Sequence, residues 1–273
     1  MPRIEKILLT AMTTPRLYNT EAVVLRKAEL GEADSILTLY TPYQGKLRAV
    51  AKGVRRPKSR LGGHVELLTH SEMSLVQSQN LDIVTQSQTI EGFLPLRDDL
   101  WRTSSAIYVV ELVDRFTAEG EENHPLFRLL VDTLRWLCRA RHGELIVRCF
   151  ELRLFACLGY QPQLQQCVGC RSPLKPDINF FTPSGGGVLC PRCRNQEPVA
   201  YPLSVSGLKV LRFLQRSGYA SVDRLRITPE LSSELKQLMR SYVRYLLERE
   251  VRSAEWLDRL EEEGFSSRST KHL

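Results

Sequence analysis

Cys167, Cys170, Cys190 and Cys193 form two C-x-x-C pairs separated by nineteen residues. Two such pairs fold as knuckles that each give two thiolates to one tetrahedral ion, and zinc suits this spacing. Gly169 can take the positive φ that the first knuckle needs, and Pro191 presets φ in the second. Between them, Phe180 to Pro183 and Val188-Leu189 flank the glycine run Gly185-Gly186-Gly187. That pattern predicts a short strand, a turn and a second short strand, the body of a zinc ribbon over residues 163–198. The competing reading is a pair of disulfides in a secreted domain. Cys138, Cys149 and Cys157 fall in apolar helical stretches and the total of seven cysteines is odd, which favours thiolates over disulfides. The early Ile7-Leu8-Leu9 run is too short for a signal segment. A closed four-thiolate shell has no place for a reactive water, so one structural Zn2+ is expected and no catalysis at it. Arg171, Arg192 and Arg194 beside the knuckles are candidates for a direct DNA contact, against a simple solvated face.

Residues 18–95 alternate apolar and polar side chains in short runs. Glu21–Arg26, Asp34–Tyr40, Lys46–Lys52, His64–Gln77 and Leu81–Glu91 read as strands, with Pro42 and Gly45 in the second turn. Five short strands over this length predict a five-stranded OB-fold barrel. From Arg97 the period becomes helical, through Ala106, Val109, Val110, Val113 and Phe116. Glu119-Gly120-Glu121-Glu122 breaks the pattern as a solvated loop. His124-Pro125 opens the next helix, and a third runs from about Glu144 to Leu158, closed by Gly159 and Pro162. After the ribbon, Ser204 and Thr228 are N-caps of two more amphipathic helices. The predicted class is therefore α+β and multidomain: an OB-fold barrel, then an α-helical domain (96–162 and 199–260) into which the ribbon is inserted. Residues 1–17, where Met12 is an alternative start, read as an extension, and 261–273 as a flexible tail.

Function is carried by charge. The formal net charge is +7, and between Lys46 and Arg60 there are seven basic residues and no acid. They are Lys46, Arg48, Lys52, Arg55, Arg56, Lys58 and Arg60. Lys46, Arg48 and Lys52 stand at even steps and so share one sheet face; the others continue into a loop. Such a face can track a phosphate backbone without reading sequence, and Tyr40 and Tyr43 are candidate base-stacking rings. The bland alternative is a charge run that keeps strands from pairing edge to edge. No phosphate-loop, zinc-protease or nucleophile-elbow motif is present, and the five histidines are scattered, so a binding protein is expected rather than an enzyme. No apolar run reaches the length of a membrane span, and reduced thiols suit the cytoplasm.

The order of barrel, helices, knuckles and helices resembles the RecO family of bacterial DNA repair proteins, over about residues 18–250. The resemblance rests on Gly31-Glu32-Ala33-Asp34-Ser35, on Gly45-Lys46-Leu47 leading to Ala51-Lys52-Gly53-Val54-Arg55-Arg56, and on Ser59-Arg60-Leu61. It also rests on Phe150-Glu151-Leu152-Arg153-Leu154 and on Leu158-Gly159-Tyr160-Gln161-Pro162. It implies a recombination mediator of the cytoplasm and nucleoid that binds single- and double-stranded DNA and anneals complementary strands. It further implies RecR as partner, docking on the acidic C-terminal tail of single-strand DNA-binding protein, and help in loading RecA. Family members are not known for turnover chemistry, and some lack the cysteines, which fits a structural metal. DNA binding is carried over to Lys46, Lys52, Arg55, Arg56 and Arg60; residues 1–17 inherit nothing. The tail pocket is expected in the helical part as an apolar groove with basic rims. A second reading stays open: an adaptor that docks on that tail and binds DNA only incidentally.

Overall fold

Period-two patterning drives the N-terminal third into a sheet that closes on itself. The computed structural model describes residues 16–141, 143–248 and 257. Five strands form the barrel: β1 (Leu17–Leu30), β2 (Asp34–Thr41), β3 (Gly45–Ala51), β4 (His70–Val76) and β5 (Asp82–Glu91). Their order is β1-β2-β3-β5-β4, and β4 closes on β1. The β3–β5 pairing is parallel, Ala49–Ala51 against Asp82–Val84; the rest are antiparallel. This is the OB-fold, and closure leaves no open sheet edge.

The strands depart from expectation at two places. β1 begins at Leu17, because Leu17–Val23 pair with β4. Leu17 thus belongs to the barrel; residues 1–15 of the expected extension lie outside the described residues. The fourth strand begins at His70 and not at His64. Gly62–His64 form a single 3-10 turn, and Leu68 takes a φ of 68°, which ends extended backbone there. Leu68 N instead donates to Val24 O at 3.0 Å, tucking this segment against β1.

β1 serves two cores. Ala22 and Val24 point into the barrel with Leu37, Leu39, Met73 and Leu75. Val23 and Leu25, on the other face, join Tyr40 and Leu68 in the core of the helical part. That part holds α1 (Leu100–Phe116), α2 (His124–Arg139), α3 (Gly143–Cys157), α4 (Val205–Arg216), α5 (Tyr219–Val222) and α6 (Pro229–Leu247). Four helices open on side-chain caps: Asp99, Asn123, Ser204 and Thr228 accept from the backbone N–H groups of Arg102, Leu126, Gly207 and Leu231. Each such cap contributes about 1 kcal/mol. α3 is the buried axis; its Glu151, fully buried, accepts from Tyr108 Oη at 2.6 Å and pairs with Arg148 at 3.1 Å. Leu257, buried, is the only described residue beyond 248, so the expected helical end and the tail 261–273 lie outside the described residues.

The ribbon has three strands where two were expected: β6 (Asn179–Thr182), β7 (Gly187–Leu189) and β8 (Tyr201–Leu203), in the order β7-β6-β8. β8 comes after residue 198, where Pro202 hides the strand signal. Phe181, Val188 and Leu189 enter the helical core, and the Phe181 ring meets Tyr242 of α6 edge-on at 5.4 Å. The ribbon is thereby packed on the helices it interrupts. Cys149 is buried on α3, and Cys138 and Cys157 are half-buried.

A polar tie also joins barrel and helices. Arg135 of α2 holds Glu91 of β5, with Nε to Oε1 at 2.8 Å. The Arg135 hydrogen bond keeps the Glu91 carboxyl below the usual carboxylate range. A depressed pKa stabilises the fold above the unfolded carboxylate value, and the effect is lost as pH falls through the folded one. Arg135→Ala should therefore cost about 1 kcal/mol near neutral pH, little because both groups are partly exposed, and nothing in strong acid. Urea unfolding of both chains across pH would show the curves converging; a gap independent of pH would refute the tie.

Candidate nucleic-acid interface and metal centre

The seven basic residues of 46–60 do not share one fate. Two are committed within the protein. Lys46 Nζ pairs with Asp114 Oδ1 of α1 at 3.2 Å, also donates to the Asp114 main-chain oxygen, and is 13% exposed. Arg55 Nη1 bonds Gly31 O at 3.0 Å and Glu29 at 3.1 Å. The other five, Arg48, Lys52, Arg56, Lys58 and Arg60, are exposed and enter no ion pair among the described residues. Lys46 and Arg48 lie on the outward side of β3, while Lys52 stands one residue beyond the strand. The loop that follows is fixed by its backbone. Gly53 N donates to Asp34 Oδ1 at 2.7 Å, Arg55 N to Ala33 O at 2.9 Å and Ser59 N to Arg56 O at 2.9 Å. The free charges therefore project from an ordered platform.

The expected stacking rings are corrected. Tyr40 is 0% exposed and sits in the helical core: its parity on β2, opposite to that of Leu37 and Leu39, turns it out of the barrel, and the helices cover it there. Tyr43 is exposed, but its ring stacks on His124 at 5.5 Å. The acidic break is the exposed loop expected, and its backbone also docks on the barrel. Gly120 N donates to Lys46 O at 2.9 Å, and Glu119 bridges to Gly45 and Lys46. Gly45 has φ +60, and a Cβ on it would lie 1.9 Å from Glu121 O. Gly45 thus lets the β2–β3 hairpin seat in the α1–α2 corner.

Beside this corner lies a cleft of about 550 Å³, lined by Arg16, Tyr18, Arg48, Asn80, Asp82 and Glu119 among others. The Tyr18 hydroxyl donates to Asp82, which fixes the ring against the β4–β5 turn. Burial and Asp82 together push the Tyr18 phenol up, so it stays a neutral donor. Sequence reasoning missed Arg16, Tyr18 and Asn80. The available signal was topological, since an OB-fold uses strands 2 and 3 together with the β4–β5 loop. A second groove, of about 600 Å³, runs over β4 and β5 with Arg60 at its lip.

In the ribbon the quartet closes. The four Cys Sγ atoms all lie within 4.8 Å of one another, and Cys170 and Cys190 are 3.9 Å apart. Thiolates at about 2.3 Å from a tetrahedral ion would sit at about this separation. Cys190 N donates to Cys167 Sγ at 3.3 Å, the kind of N–H contact that steadies a metal-bound thiolate. Hydrogen bonds from Ser172 pull the Cys170 thiol down to about 6, while burial pushes the Cys193 thiol up. The donor set fits a structural metal. Gly169 does not take the expected positive φ; a Cβ there would crowd Cys193 Cβ at 3.2 Å and displace the movable end of Gln196, and the left-handed residue of the knuckle is Arg171, at φ 60°. Arg171 and Arg192 are exposed, while Arg194 lies over the Phe180 ring at 5.1 Å. Among the described residues no other group of His, Cys, Asp or Glu is placed to hold a metal, and no helix is long and apolar enough to cross a membrane.

An OB-fold barrel with a basic loop, carried on a helical body that holds a four-cysteine ribbon, defines a class of multidomain barrel proteins. Comparison with known proteins gives the particular member. The family model described as recombination protein O N terminal matches residues 12–93, and that described as recombination protein O C terminal matches residues 97–255. The chain is 42% identical over 249 residues to the DNA repair protein RecO of Dehalococcoides mccartyi strain CBDB1, covering 91% of this chain and 98% of that one. It is 43% identical over 243 residues to that of Roseiflexus sp. strain RS-1, covering 89% and 86%. With that of Halalkalibacterium halodurans the identity is 32% over 253 residues, covering 93% and 99%. The chain belongs to the RecO family. The N-terminal match reaches back to residue 12, into the stretch read from the sequence as an extension.

Proposed function

We propose that this protein serves DNA repair as a recombination mediator of the cytoplasm and nucleoid, a binding protein and not an enzyme. It holds single- and double-stranded DNA on the barrel and anneals complementary strands. With RecR it helps load RecA where single-strand DNA-binding protein covers the DNA, docking on the acidic tail of that protein. One Zn2+ on Cys167, Cys170, Cys190 and Cys193 staples the ribbon. Family membership supports the repair role. The observation that carries DNA binding is the set of five exposed cations, Arg48, Lys52, Arg56, Lys58 and Arg60, on an ordered loop and strand. Lys46 and Arg55, also expected to touch DNA, are assigned instead to holding that platform.

Such a surface reads phosphate and not sequence. If about four phosphates are neutralised, log affinity for single strands should fall with log salt at a slope near −3. Arg56→Glu with Lys58→Glu should weaken binding to every sequence by about tenfold at 0.1 M salt and flatten the slope by about 1.4. Fluorescence anisotropy with labelled oligonucleotides measures both. Unchanged affinity in the double variant would remove the loop from the interface.

A further inference from the structure

We infer that the cleft between β1, β3 and the β4–β5 turn seats one unpaired nucleotide, and that this seat makes the barrel prefer single-stranded over duplex DNA. The inference rests on the DNA-binding reading above and adds the strand preference to it. Four observations carry it. The first is size: about 550 Å³ accommodates a base and its sugar-phosphate, while a duplex cannot enter without being opened. The second is charge balance. Lys46 is tied to Asp114, which Arg26 also approaches at 3.6 Å, so the cleft's unpaired lining sets two arginines, Arg16 and Arg48, against two carboxylates, Asp82 and Glu119. That lining holds one phosphodiester but gains little from the dense charge of a duplex, so attraction must come from the base.

The third observation is the floor. Tyr18 lines the cleft half-buried, and its hydroxyl is tied to Asp82, so the ring is held in place before any ligand arrives. A fixed ring is a sequence-tolerant stacking platform, because every base has a π-face. Asn80, exposed at the rim, adds an amide that can meet a base edge only when the base is unpaired. The fourth is construction. Glu119 belongs to the α1–α2 corner, so the docked helical part supplies one wall.

The test compares a labelled oligothymidylate with a blunt duplex of equal length on the full chain, by fluorescence anisotropy. Tyr18→Ala should weaken the oligothymidylate by about tenfold and the duplex by less than about twofold. Arg16→Glu and Asn80→Ala, both at exposed positions, should shift the same ratio in the same direction and keep the test alive if Tyr18→Ala fails to fold. The Arg56→Glu, Lys58→Glu variant should weaken both ligands. Equal losses on both ligands in the cleft variants, or no loss on either, would overturn the seat. If the loop variant alone leaves both ligands unchanged, the DNA-binding reading fails at the loop, a result distinct from failure of the seat.

Discussion

Cys167→Ser is expected to lose the zinc proposed for the quartet and to melt about 10 °C or more below the parent chain. Cys167 is 1% exposed, its sulfur accepts from Cys190 N, and it lies within the same apolar cluster as α3, α4 and α6. A structural zinc supplies about 10 kcal/mol or more in isolated finger peptides. Here Phe181, Val188 and Leu189 also hold the ribbon, so the loss is expected to be smaller, about 3–5 kcal/mol. For a chain of this size each kcal/mol moves the melting point by about 2–4 °C. Elemental analysis of protein prepared with reductant and without chelator reads the metal, and calorimetry reads the melting point. A serine variant with full zinc content and parental melting would remove the quartet from the role of staple. A parent chain that carries another metal in place of zinc would correct the ion and leave the site.

Gly45→Ala should be the most damaging single methyl group in the barrel. The residue combines two requirements: a left-handed φ of +60 and a space closed by Glu121 O, 1.9 Å from where a Cβ would stand. Alanine tolerates the dihedral at a cost of about 1 kcal/mol. It cannot tolerate the contact, because the opposing atom is backbone. The hairpin must therefore withdraw from the α1–α2 corner. That withdrawal also breaks the Gly120–Lys46 hydrogen bond and the Lys46–Asp114 pair. The combined loss is expected to be about 3–5 kcal/mol. Urea unfolding followed by tryptophan fluorescence would report it; a change under about 1 kcal/mol would mean that the corner is not seated as described. The obvious companion, Gly31→Ala, meets nothing within 4 Å despite its φ of +59. It should cost only the dihedral penalty, and so separates strain from collision.

How much of this was legible beforehand follows from the range of each interaction. The quartet, the caps at Ser204 and Thr228 and the helix stop at Gly159 depend on residues within a few positions, and local pattern is enough to find them. The barrel was legible because parity along a strand is also local. What failed was long in range. Lys46 and Arg48 have the same charge on the same strand face, yet Asp114, 68 residues away from Lys46, takes only the first. Tyr40 and Tyr43 look alike near a basic strand, and only the placement of the helices decides that one is core and the other a partner of His124. β8 was hidden because Pro202 argues against a strand unless the strand lies at an edge, as this one does. The cleft was invisible for a related reason. Its walls come from β1, β3, the β4–β5 turn and the helical corner, and no one of these segments carries a signature of its own.

The alternation along β1 has a mechanical consequence. Ala22 and Val24 are anchored in the barrel while Val23 and Leu25 are anchored in the helical body. Successive residues of one strand therefore act as rivets through two plates. The two family matches divide near residue 95, but the material does not divide there. A barrel cut free at residue 93 would bare Val23, Leu25, Tyr40 and Leu68 as a continuous sticky face. Force applied to the barrel is passed directly into the helices, so the two parts respond as one stiff piece and not as a head on a hinge.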